Sequence, residues 1–147
     1  MILFGKNAEW IAKSASITER DAMLSLRGVL GMIPLGGIFT VLTGNKQGYI
    51  ILFTKYGGNQ VQDIHIKRIC IAIQATIRLI HAAGWHHHDI HERNVIEDDT
   101  GKVSLIDFGR AVRVEECSNP GCEDSIFLKD SDDAASEEVE DNDDAEL

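Results

Sequence analysis

Between His86 and Gly109 the chain concentrates polar chemistry around two short apolar runs, and this stretch constrains the fold more than any other. Val95-Ile96-Glu97 and Val103-Ser104-Leu105-Ile106 flank Asp98-Asp99-Thr100-Gly101, a pattern that predicts two strands joined by a tight turn. A hairpin returns its second strand beside its first. Asn94 and Asp107, thirteen residues apart, are thereby folded back toward one point. Asp89 stands five residues before Asn94 in the preceding loop. Two carboxylates and an amide oxygen are the hard donors that a divalent cation such as magnesium takes.

The surrounding chain supplies a frame. Ile66, Ile69/Cys70, Ile73, Ile77 and Ile80 recur at three and four residues, which predicts an amphipathic helix with Asp63 as its cap and Gly84 as its left-handed end. So many β-branched residues are poor helix formers, so this helix is expected to be stabilised by burial. Ile38–Leu42 and Tyr49–Thr54 read as an antiparallel hairpin around the turn Thr43–Gly48, with Gly57-Gly58 as a flexible link beyond it. Ile2–Phe4 reads as a short strand. Ala8–Leu30 reads as mostly helical, with Thr18 as a cap.

Charge is divided along the chain. Met1–Val114 holds 13 Lys/Arg against 10 Asp/Glu, whereas Glu115–Leu147 holds one Lys against 14 acids. Ser131–Leu147 has the low hydrophobicity and high charge expected of a disordered tail, and like charges argue against nucleic acid as its partner. No stretch approaches the ~20 apolar residues of a membrane span, and no secretion signal is read at the start. An intracellular protein, cytoplasmic or nuclear, is expected.

The combined motif resembles the protein-kinase-like superfamily. His87-His88-Asp89-Ile90-His91-Glu92-Arg93-Asn94 is similar to its catalytic loop, and Asp107-Phe108-Gly109 to its metal-binding triplet. The pattern is especially similar to short kinase-like proteins of mushroom-forming fungi that share an Asp-Ile-His-x-Arg-Asn loop. The resemblance implies an α+β, partial protein-kinase-like fold. It would comprise a remnant small-lobe hairpin with one helix, a hinge, a large-lobe helix, the catalytic loop and the metal-loop hairpin, with a disordered acidic tail. Residues 1–56 would form the partial small lobe, 57–128 the partial large lobe and 129–147 the tail.

The implied chemistry is ATP- and Mg2+-dependent phosphoryl transfer to a hydroxyl of a protein or small molecule. Asp89 would be the base, and Asn94 and Asp107 the metal ligands. Lys6 would hold phosphates and pair with Glu19, and Lys55 and Tyr56 in the hinge would bind the nucleotide. Two alternatives stand beside it. No glycine-rich phosphate loop precedes Lys6, which suits a non-catalytic pseudokinase-like binding module. His91 stands where protein kinases place Lys, which is similar to the aminoglycoside and choline phosphotransferases. The histidines at 81, 86, 87, 88 and 91, with Cys117 and Cys122, also admit a metal site, but no CxxC or HExxH spacing supports zinc. A structural His87 and a reduced cysteine pair closing the domain are expected instead.

Overall fold

The computed structural model describes residues 2–4, 9–45 and 48–134 of the 147-residue chain. It is a mixed α+β structure with antiparallel sheets and, among the described residues, three α-helices. The N-terminal half is a four-stranded sheet in the order β1 (Ile2–Phe4), β2 (Trp10–Ala15), β4 (Gly48–Lys55), β3 (Leu35–Leu42), with α1 (Ile17–Ser25) between β2 and β3 in sequence. The strand expected at Ile2–Phe4 and the hairpin β3–β4 both form.

Two expectations for this half are corrected. Trp10–Ala15 is a strand rather than part of a helix, because β4 offers it a six-residue antiparallel ladder from Trp10↔Lys55 to Ala15↔Ile50. Alanine content favours helix locally, but a sheet neighbour decides the matter. The helix cap is Ser16, not Thr18: Ser16 is extended and its hydroxyl accepts the Glu19 N–H at 3.1 Å.

Gly57-Gly58 leads into the C-terminal half. Here β5 (Asn59–Gln60) pairs with β7 (Val95–Glu97), and β7 pairs with β8 (Val103–Leu105), which gives the expected hairpin with Gly101 at φ +82° in its turn. The isoleucine helix α2 (Lys67–Ala82) packs behind this hairpin. Ile69, Ile73, Ile77 and Ile80 are buried, each contributing roughly 1.5–3 kcal/mol, whereas Ile66 at the helix start is exposed. Gly84 closes α2 at φ +95°, as expected. Asp63 does not cap α2; its carboxylate accepts the His65 N–H, turning the chain ahead of the helix.

The last part of the chain is brought back alongside the loop after α2. β6 (Trp85–His86) pairs with β9 (Val112–Arg113), and α3 (Glu123–Ala134) follows against α2. The expected disordered tail is therefore corrected over residues 129–134, which continue α3. Buried Phe127 anchors the helix to the core, and Glu123 and Asp124 lie in its first turn, where carboxylates favour the helix dipole. The rest of that expected tail, residues 135–147, lies outside the described residues. No helix of the described residues is long and apolar enough to cross a membrane.

Candidate active site

An open cleft of about 710 Å³ lies between the N-terminal sheet and the β7–β8 hairpin. Lys13 and Glu19 come to it from the first half, Lys55 to Gly58 from the connection, and Asp89, Asn94 and Asp107 from the second. All the expected site residues except one thus line a single cavity. Lys6 lies outside the described residues.

The cleft lysine paired with Glu19 is Lys13, which sequence reasoning missed. Its Nζ donates to Glu19 Oε1 at 2.6 Å and lies 3.1 Å from Asp107 Oδ1. Among the described residues Glu19 pairs with Lys13; Lys6, the partner the sequence suggested, lies outside them. Six residues separate the pair, too many for adjacent turns of one helix. They meet because Lys13 is on a strand and the chain reverses into α1 at Ser16. Glu19 is only 5 % exposed, so an unpaired carboxylate there would be costly.

The pairing shifts both Lys13 and Asp107. Burial pulls the Lys13 ammonium down, but the hydrogen bond and charge of Glu19, with those of Asp107, outweigh it and raise its pKa above the ordinary value. Burial pushes the Asp107 carboxyl up, but Lys13 and the Gly109 N–H hold it below the ordinary carboxylate range. Asp107 is thus kept anionic, the form that ligates a cation. Its backbone is left-handed at φ +63°, uncommon outside glycine but tolerated by aspartate.

Across the cleft, Asn94 donates its amide to the Asp89 carbonyl and to Asp89 Oδ2, both at 2.9 Å. With its nitrogen committed to Asp89, Asn94 has its side-chain oxygen as the atom that could ligate a cation. His91 Nε2 is 3.2 Å from Asp89 Oδ1, and the Arg110 guanidinium is 3.9 Å from the same oxygen. Lys55 and Tyr56 line the connection wall, and their backbone N–H groups already donate to the Pro34 and Glu9 carbonyls.

Two buried groups hold the Asp89 loop in place. His87 is fully buried, and burial depresses its pKa, leaving a neutral ring. Its Nδ1 accepts the Asp89 N–H at 3.2 Å while Nε2 donates to the Ile106 carbonyl at 2.9 Å, so one ring joins the Asp89 loop to the strand entering Asp107. Phe108 packs edge-on against it at 4.6 Å. The structural role expected of His87 is what it performs. Asp124 of α3, also fully buried, accepts the His87 and His88 N–H groups at 2.8 Å and the His81 ring at 2.9 Å. Burial opposes its ionisation, yet the His81 and backbone donors hold its pKa at about 2. Sequence reasoning missed Asp124 because it sits in an acid-rich run. Its only local signal was its place at the start of a helix that also carries Phe127.

Comparison with known proteins finds similarity to protein kinases over short stretches. The fission yeast Schizosaccharomyces pombe serine/threonine-protein kinase ppk31 is 48% identical over 40 residues, 27% of this chain and 4% of that protein. Mitogen-activated protein kinase kinase kinase 20 of Arabidopsis thaliana is 34% identical over 61 residues, 42% of this chain and 18% of that kinase. CBL-interacting protein kinase 16 of rice, Oryza sativa subsp. japonica, is 25% identical over 93 residues, 58% of this chain and 20% of that kinase. The chain thus spans a fifth or less of the length of these relatives. No protein-family model matches it.

Proposed function

We propose that this chain is a partial protein-kinase-like domain whose cleft binds ATP with magnesium and transfers the γ-phosphoryl group to a hydroxyl. The observation that carries this reading is the pairing of Lys13 with both Glu19 and Asp107, opposite Asp89 and Asn94 in one cleft. Residues 1–56 and 57–128 are taken as the two partial lobes. The donor set fits the metal: Asp107 is held anionic, and Asn94 presents a neutral oxygen. Asp107 and Asn94 would hold magnesium, whose charge offsets that of the phosphates.

The remaining steps fall to the chain itself. Lys13, kept cationic and positioned by Glu19, would exchange its contact with Asp107 for phosphate oxygens. Lys and Asp would each trade one counter-charge for another, so neither is left buried and unpaired. Lys55 and Tyr56 would bound the nucleotide base from the connection side. Asp89, oriented by Asn94 and by the His87 ring on its backbone, would accept the proton of the attacking hydroxyl. His91, with its Nε2 3.2 Å from Asp89 Oδ1, favours a second reading of the acceptor, a small hydroxyl compound as for the aminoglycoside and choline phosphotransferases rather than a protein.

Thermal melting with 1 mM ATP and magnesium tests binding. The melting temperature should rise by several degrees in wild type and stay unchanged in Asp107→Ala. Absence of a shift in wild type would sink the nucleotide reading. ATP turnover that survives Asp89→Ala would remove Asp89 from the chemistry, and turnover absent altogether would leave a non-catalytic binding module.

A further inference from the structure

Outside the cleft, four soft or borderline ligands meet. The ligand atoms of His86, His88, Cys117 and Cys122 all lie within 4.8 Å of one another. Cys117 Sγ is 3.2 Å from His88 Nε2, and Cys122 Sγ is 3.5 Å from His86 Nδ1. We propose that these four side chains form a tetrahedral zinc site that fastens the C-terminal segment to the loop carrying Asp89.

The distances fit the metal. Zinc–sulfur and zinc–nitrogen bonds of about 2.3 and 2.05 Å set the sulfur–nitrogen edge of a tetrahedron at about 3.6 Å. The observed pairs need move only by tenths of an ångström to reach it. Two thiolates and two neutral imidazoles balance a divalent charge, so the partly buried site would carry no net charge when loaded. Two thiolates with two imidazoles in tetrahedral array is also the donor set that selects zinc over magnesium or calcium. With four protein ligands no position is left for a substrate, which makes the site structural rather than catalytic.

The frame around the ligands is already tied together. β6, which carries His86, pairs with β9, and the Val114 N–H donates to the Gly84 carbonyl, so the segment leading to Cys117 runs beside the histidines. Asp124, two residues after Cys122, holds the His88 N–H directly. A competing set of His81, His86 and Asp124 also clusters. Its carboxylate, however, is occupied by the His81 ring and two backbone N–H groups. His81 is better placed as a support, stacked on the His86 ring at 4.0 Å. Neither Cys117 nor Cys122 is in a disulfide, so both sulfurs can give up their protons to a bound metal. The inference does not depend on nucleotide binding.

The test uses the full chain, reduced and stripped of metal with a chelator, then titrated with Co2+ and competed with Zn2+. One equivalent of Co2+ should give the visible bands of a tetrahedral site with thiolate-to-cobalt charge transfer, and Zn2+ should bleach them. Bound Zn2+ should protect two of the three thiols from a thiol reagent, leaving Cys70 reactive. Cys117→Ser, at a half-exposed position, should keep the wild-type far-UV spectrum and bind Zn2+ at least about a hundredfold more weakly. Cys70→Ser and His81→Gln should retain the tetrahedral cobalt spectrum. No tetrahedral spectrum in wild type would overturn the proposal. So would metal binding unchanged by Cys117→Ser, or a Cys117–Cys122 disulfide that forms in the presence of Zn2+.

Discussion

Lys13 shows how a single residue can be decisive and yet hard to find in the sequence. Ala8, Ala12 and Ala15 make its neighbourhood look helical, and only pairing with β4 turns Trp10–Ala15 into a strand. Glu19 was expected to pair with a lysine only through the resemblance to kinases; which lysine was not legible, because that depends on the reversal at Ser16. Asp89, Asn94 and Asp107 were legible because their spacing carries its own geometry, a loop and a hairpin. The Lys13–Glu19 pair should be measurable as a coupling. Lys13→Met leaves the Glu19 carboxylate buried without its cation and should destabilise more than Lys13→Met combined with Glu19→Gln. A double-mutant cycle by urea denaturation should give a coupling of about 1 kcal/mol, reduced from fully buried pairs because Lys13 is a third exposed. Additive single effects would show that the pair contributes nothing to folding.

At the scale of elements, α2 and the β7–β8 hairpin were legible because each has a strong period or turn signal of its own. The helix α3 was not. Its acid-rich composition resembles a solvated tail, and what orders its start is long-range: Phe127 in the core, and the Gln74 amide donating to the Phe127 carbonyl at 3.1 Å. Asp124 then reaches from α3 to the two amides that precede Asp89. Asp124→Ala should leave those buried donors without an acceptor and cost about 3 kcal/mol, read as a lower denaturation midpoint in metal-free protein. Hydrogen exchange should show lost protection at the His87 and His88 amides, with protection in the middle of α2 reduced no more than global stability requires. Retained protection at those two amides would mean that other contacts hold the loop. The proximity of Cys117 and Cys122 to His86 and His88 follows from the same long-range pairing of β6 with β9. Cys117 and Cys122 have a spacing that paired zinc cysteines use, but His86 and His88 lie about thirty residues upstream, so the full ligand set emerges only in three dimensions.

The whole molecule is two halves sharing one cleft, and the connection between them is tighter than its Gly57-Gly58 sequence suggests. Paired glycines read as a flexible link, but Gly58 sits at φ +119° with its α-carbon packed toward the Glu97 backbone, where a Cβ would meet the Glu97 carbonyl oxygen. That is a close backbone approach available only to glycine. Gly57 differs: a Cβ there would meet only the ends of the Ile33 and Ile96 side chains, which can rotate away. Gly58→Ala should therefore cost at least about 2 kcal/mol, combining an unfavourable backbone conformation with a clash against immobile main chain. Gly57→Ala should cost less, on the order of 1 kcal/mol, as isoleucines repack. Because Lys13 reaches the cleft from one half and Asp89 and Asn94 from the other, a shift at Gly58 changes the distance between the walls. Gly58→Ala should then weaken ATP binding by at least tenfold at a temperature where the variant is still folded, measured by calorimetric titration with magnesium present. Equal stability losses for the two glycine variants, or an unchanged ATP affinity in folded Gly58→Ala, would show that the connection does not set the cleft.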